Sequence, residues 1–126
     1  MALASLYQLH KDGSIWQYTE PGWRLFDDKS STTAITVDGN DTLYRLHKDG
    51  SIWQSTGTPL TDWILLDKNP ATTAIVGGVD TLYQLHKDGS IFAYTGTPLT
   101  GWTQFDKNAA TIAIAIGSTT MAEIIK

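Results

Sequence analysis

One segment of this chain occurs three times. LYQLHKDGSIWQYT begins at Leu6, returns as LYRLHKDGSIWQST at Leu43 and again as LYQLHKDGSIFAYT at Leu82, at spacings of 37 and 39 residues. A second block follows each copy: GWRLFDDKSSTTAI from Gly22, DWILLDKNPATTAI from Asp62 and GWTQFDKNAATIAI from Gly101. A period in this range constrains the fold more than any other feature. Each copy is one supersecondary unit that can bury its apolar face only against its neighbours. The 126 residues divide into repeats of about 6–42, 43–81 and 82–120, a length that suits one domain.

Within a repeat the pattern reads as four short strands separated by turn residues, and helical periodicity is missing. The small and β-branched stretch 72–76 precedes Gly77-Gly78, and 81–86 runs into Lys87-Asp88-Gly89. That step suits a tight hairpin whose glycine takes a positive φ. Strand 90–94 follows, and a Gly-Thr-Pro-Leu-Thr loop leads to a fourth strand at 102–106. The expected class is all-β.

The frame of the repeats is offset. Residues 108–126 align without gaps to 69–87, so 111–116 repeats the first strand of a unit, whereas no such strand precedes Leu6. The expectation is ring closure in which 111–116 completes the sheet that holds the start of the chain and removes a bare edge. The tail 121–126 aligns with LYQLHK but lacks its Tyr and His.

Charge and cysteine content exclude several classes. Nine basic residues against thirteen acidic ones give a formal charge of −4, and no basic stripe stands out, which argues against a nucleic-acid partner. Without cysteine there are neither disulfides nor thiolate metal sites. No apolar run approaches membrane-spanning length, so membrane insertion is not expected. The opening residues have no basic n-region or apolar stretch, so no signal peptide is visible, and the compartment is left open between cytoplasm and non-classical secretion.

The order LY-x-x-H, turn, I-W/F-x-Y, loop with Pro, W-x-x-x-D, small β-branched strand resembles the tachylectin-2 and tectonin group of β-propeller lectins, over residues 6–116. The resemblance implies four-stranded blades around a ring and terminal N-acetylated hexoses as ligands. Three blades fall short of the roughly four to eight of a closed propeller. The expected assembly is therefore a homodimer of six blades. The alternative is a β-trefoil, which also has three repeats of four strands but closes within one chain as a monomer.

Function is expected from aromatic rings beside fixed polar groups, because sugars present flat C–H faces ringed by hydroxyls. Trp16, Trp53 and Phe92 recur in the third strand and are the candidate plates. Trp23, Trp63 and Trp102 open the fourth strand and read as filler between sheets. Asp27, Asp67 and Asp106, with Asn69 and Asn108 two positions on, either fasten the next loop or accept hydrogen bonds from hydroxyls. His47 and His86 share a repeat position with His10 and complete the candidate set; Asp12, Asp49 and Asp88 read as turn residues. No single asymmetric constellation suggests catalysis. The expected protein is a non-enzymatic, multivalent lectin without metal or cofactor, and the alternative is a structural or engineered scaffold with no sugar ligand.

Overall fold

A computed structural model describes residues 6–116; the tail at 121–126 lies outside the described residues, as do positions 117–120 of the third repeat. The described residues form eleven strands: β1 (Tyr7–Leu9), β2 (Ile15–Thr19), β3 (Gly22–Asp27), β4 (Thr32–Val37), β5 (Leu43–His47), β6 (Ser51–Ser55), β7 (Trp63–Lys68), β8 (Thr72–Gly77), β9 (Leu82–His86), β10 (Ser90–Tyr94) and β11 (Trp102–Lys107). They pair in chain order into three antiparallel sheets: β1-β2-β3, β4-β5-β6-β7 and β8-β9-β10-β11. No helix among them is long and apolar enough to cross a membrane. The structural unit is shifted from the sequence repeat. β4 closes the first sequence repeat but heads the second sheet, and β8 closes the second but heads the third, so the second and third sheets are each stitched from two repeats.

Each sheet turns its central hairpin on the same four residues. The Gly50 N–H donates to the His47 carbonyl at 3.0 Å, with equivalent bonds from Gly13 to His10 and from Gly89 to His86. The glycine sits at φ +87°, +87° and +85° in the three copies, the left-handed conformation that follows a type I turn in a three-residue hairpin. Space forbids a side chain as well. A Cβ on Gly50 would lie 2.0 Å from the Asn69 carbonyl oxygen. The hairpin thus touches the loop entering the next sheet's first strand, and that contact is why the Asp-Gly-Ser step recurs unchanged.

A bulge recurs just beyond the hairpin. Ile52 pairs with Asp67 but Trp53 with Leu65, leaving Leu66 as the extra residue; Phe26 and Phe105 hold that place in the other sheets. A bulge brings two consecutive side chains towards one face. Phe26 and Asp27 accordingly both meet Trp63 of the second sheet, the first by an edge-on ring contact with centroids 6.0 Å apart and the second by accepting the indole N–H at 3.2 Å. At the next junction Trp102 Nε1 donates instead to a backbone acceptor, the Leu66 carbonyl, at 2.9 Å. Two apolar clusters result. Ile15, Phe26 and Leu43 join the first sheet to the second, and Tyr44, Leu46, Ile52, Leu66, Ile75 and Leu82 join the second to the third.

Residues 111–116, expected as a strand, form no ladder with the other described residues. A β-strand is defined by the neighbour that shares its hydrogen bonds, and among the described residues this segment has no such neighbour. Among the described residues the three sheets form an open series, closed neither as a propeller nor as a trefoil.

Candidate functional site

The strand order decides which repeats cooperate. Asp27 stands at the end of β3 in the first sheet, while His47 and Trp53 stand on β5 and β6 of the second. They meet at the junction of these sheets, in an open cleft of ≈ 640 Å³ whose lining includes Asp28, Lys29, Arg45, Thr61 and Trp63. A candidate site is therefore built from the carboxylate of one repeat and the aromatic residues of the next. Across the following junction Asp67 accepts from Gln84, whose Oε1 in turn meets His86. Trp16, and with it His10, belongs to the first sheet. Asp106 and Asn108 belong to the third and its exit loop. These sheets stand first and last in the series, so among the described residues the two sets do not meet.

The aromatic plate is held by the hairpin. Asp49 Oδ1 accepts from the Ser51 N–H at 2.9 Å and from its hydroxyl at 2.5 Å, and Ser51 Oγ in turn accepts from Trp53 Nε1 at 2.9 Å. His47 lies tilted against the indole, with ring centroids 5.6 Å apart. Trp16 is fixed identically by Ser14 and stacks on His10. Phe92 has the histidine contact, to His86 at 4.7 Å, but no N–H to give Ser90. The hydrogen bonds from Ser14, Ser51 and Ser90 hold Asp12, Asp49 and Asp88 below the usual carboxylate range.

Behind the plate lies a buried ion pair. Arg45 Nη1 donates to Asp27 Oδ2 at 2.6 Å, and the guanidinium lies 4.0 Å from the Trp63 ring centroid and 5.5 Å from that of Trp53. Burial pulls the Arg45 pKa down from its usual value, against the opposing attraction of Asp27. Burial also lowers the pKa of His47, and the charge of Arg45 lowers it further. In the third sheet a neutral side chain does this work. Gln84 donates through Nε2 to Asp67 at 3.0 Å, while its Oε1 takes the Thr72 hydroxyl and meets His86 Nε2, both at 2.6 Å. Arginine has no acceptor to offer. In the second sheet Thr32 Oγ1, His47 Nε2 and Arg45 Nε are buried without a hydrogen-bond partner among the described residues.

The carboxylates and amides of the candidate set are largely committed. Asp27 is buried and shared by Arg45, Trp63 and the Lys29 N–H. The Asn69 and Asn108 side-chain Oδ1 atoms accept from the N–H groups of Ala71 and Ala110 at 2.9 and 3.0 Å and so fasten the loops that follow. The exposed polar groups around the first cleft are Asp28, Lys29, Thr61 and Asp62. The Leu60 loop that carries two of them docks by donating its N–H to the Phe26 carbonyl at 2.8 Å, with Leu60 at φ +59°, and Leu99 repeats this on Leu66 at φ +71°.

Sequence reasoning missed Arg45 as part of the site. Its signal was a departure from the repeat, an arginine where the other copies carry Gln8 and Gln84. Trp63, expected mainly as filler between sheets, does bridge the sheets, and the same ring also walls the cleft. Among the described residues no group of three or more His, Asp or Glu is placed to hold a metal ion. No protein-family model and no curated protein matches this chain, so the reading of the cleft rests on its own geometry.

Proposed function

We propose that this protein is a non-enzymatic carbohydrate-binding protein, a lectin of the propeller kind that offers a shallow cleft at each junction between sheets. The observation that carries the reading is the half-buried Trp53 ring. Ser51 and His47 hold it beside Trp63 in a cleft rimmed by Asp28, Lys29, Thr61 and Asp62. A pyranose laid against such a ring places its C–H face on the indole and its hydroxyls within reach of carboxylate, ammonium and threonine groups. Arg45 and Asp27 stiffen the wall behind it and neutralise each other, which favours a neutral sugar over a charged one. N-acetylated hexoses are the first class to test, on the strength of the resemblance to tachylectin-2 and tectonin lectins. Neither metal nor cofactor is needed for binding of this type.

The meander order of each sheet supports blades rather than a trefoil, because a trefoil shares one barrel among all its repeats. Repetition supplies strength that one open cleft lacks, since rigidly spaced copies gain avidity on a glycan-coated surface. A glycan array, followed by titration with N-acetylglucosamine and N-acetylgalactosamine, tests the reading. Trp53→Ala should weaken binding about tenfold, equivalent to about 1.4 kcal/mol. If the native protein gives no sugar-dependent signal, the reading fails and the scaffold alternative stands in its place.

A further inference from the structure

Two junctions within the chain define what a complete junction contains. At each, the last strand of one sheet gives its bulged apolar residue, its carboxylate and a backbone carbonyl. The next sheet gives a tryptophan, a histidine and a side chain that bonds the carboxylate. The outer face of the third sheet carries the first set without the second. Phe105 is 71% exposed where its equivalents Phe26 and Leu66 are 1% and 0% exposed, and Asp106 is exposed beside it. The first sheet carries the second set without the first. Leu6 is 55% exposed where Leu43 and Leu82 are 1% and 0%, and Trp23, equivalent to the bridging Trp63 and Trp102, is also exposed.

Among the described residues the first sheet is also one strand short, with three strands against four. The missing member corresponds to β4 and β8, and residues 111–116 carry that sequence. Their entry is already built. The Ala110 N–H donates to Asn108 Oδ1 at 3.0 Å and the Thr111 N–H to the Asn108 carbonyl at 2.9 Å, matching the 2.9 and 3.1 Å bonds that lead from Asn69 into β8. The segment lies alongside the third sheet, with Thr111 and Ile112 near Leu85 and His86, and Ile116 against Gly78. β8 lies against β4 at the equivalent place, where Gly77 meets Val37.

We infer that a second copy of this chain docks its first sheet on the outer face of the third, with residues 111–116 of each copy adding as the fourth strand beside β1 of the other. The register of β8 on β9, carried over, pairs Thr111 with His10, Ala113 with Leu9, Ile114 with Gln8 and Ile116 with Leu6 across the interface. Gln8 then faces Asp106 of the other copy as Gln84 faces Asp67. Trp23 covers Phe105 as Trp63 covers Phe26. The contact is reciprocal, so a twofold axis makes both junctions at once, and three sheets from each copy give a closed series of six with no open edge. Each new junction joins Asp106, Lys107 and Asn108 to His10 and Trp16 of the other copy, a cleft that neither chain holds alone.

Sedimentation velocity and native mass spectrometry on the full chain test the assembly, which does not depend on the sugar reading. The expected mass is twice 13.8 kDa. Phe105→Asp, at a side chain exposed in the single chain, should return the mass to one chain with the circular dichroism of the strands unchanged. Because the chain has no cysteine, Leu6→Cys and Ile116→Cys variants can be mixed after separate purification, and oxidation should link one to the other. A native protein that stays at one chain's mass up to high micromolar concentration overturns the inference. So does an assembly of any other size, or a mixture that forms only like-with-like disulfides. If sugar binding is real, the Phe105→Asp protein should titrate with fewer sites per chain than the native dimer. Loss of all sugar binding in both proteins would sink the lectin reading and leave the dimer untouched.

Discussion

At the junction of the first and second sheets a buried Arg45–Asp27 pair stands where Gln84 and Asp67 stand between the second and the third. The backbone around the two is the same, hairpin, bulge and docking loop included. The chemistry differs. Glutamine acts as donor and acceptor at once and satisfies Asp67, Thr72 and His86 together. Arginine makes a stronger bond to its carboxylate and packs against two indoles, but leaves the Thr32 hydroxyl and His47 Nε2 without partners among the described residues. One substitution in an otherwise repeated frame has exchanged a network centred on a neutral amide for a tight ion pair with unsatisfied surroundings. Each buried orphan of this kind costs about 1–3 kcal/mol. A repeat protein can vary one junction in this way because the clusters holding each junction are separate and local.

The contrast is broken most severely by removing a carboxylate. Asp27→Ala strands a guanidinium inside the protein and should cost about 3–5 kcal/mol. Asp67→Ala strands only an amide and should cost about 1–3 kcal/mol. Urea denaturation of the two variants compares them directly, and an Asp67→Ala loss equal to or greater than that of Asp27→Ala would contradict the assignment. Arg45→Gln converts the first junction into a copy of the second. It gives Thr32 and His47 an acceptor and should raise stability by about 1 kcal/mol, or a melting temperature by about 4 °C. A fall in stability would mean that stacking on Trp53 and Trp63 outweighs the orphaned groups.

Phe92→Trp moves the other way and gives Ser90 the indole donor that Ser51 already has. A gain of about 0.5–1.5 kcal/mol is expected from calorimetry, together with a more strongly sugar-responsive tryptophan fluorescence. The smallest effect is that of pH. Burial holds both His47 and His86 below the ordinary histidine value, so the unfolded chain takes up protons first as pH falls. Stability is complete above about pH 6.5 and declines as pH drops from there through the depressed folded values. Thermal melts from pH 7.5 to 5 should show this decline, and a His47→Gln, His86→Gln double variant should flatten it.

Much of the fold was legible because repetition supplies its own control. The Lys-Asp-Gly hairpin, the strands at 72–76, 81–86, 90–94 and 102–106, and the all-β class follow from turn chemistry and a period that neighbours alone can satisfy. Asp12, Asp49 and Asp88 serve the turns, as their position suggested. The candidate site was legible only in parts. Trp53, His47 and Asp27 do converge, but the partnership of one repeat's carboxylate with the next repeat's aromatic pair depends on how sheets stack. Asn69 and Asn108 face their own loops through a local hydrogen bond that the sequence allowed and did not demand.

The sequence by itself determined the periodic elements, since hairpin geometry and strand alternation are set by interactions between residues a few positions apart. Only the tertiary structure decided that a bulge aims Phe26 and Asp27 at one neighbour, and that Arg45 packs against two indoles. These depend on contacts between residues some 18 to 36 positions apart, where packing chooses among partners that are equivalent along the chain.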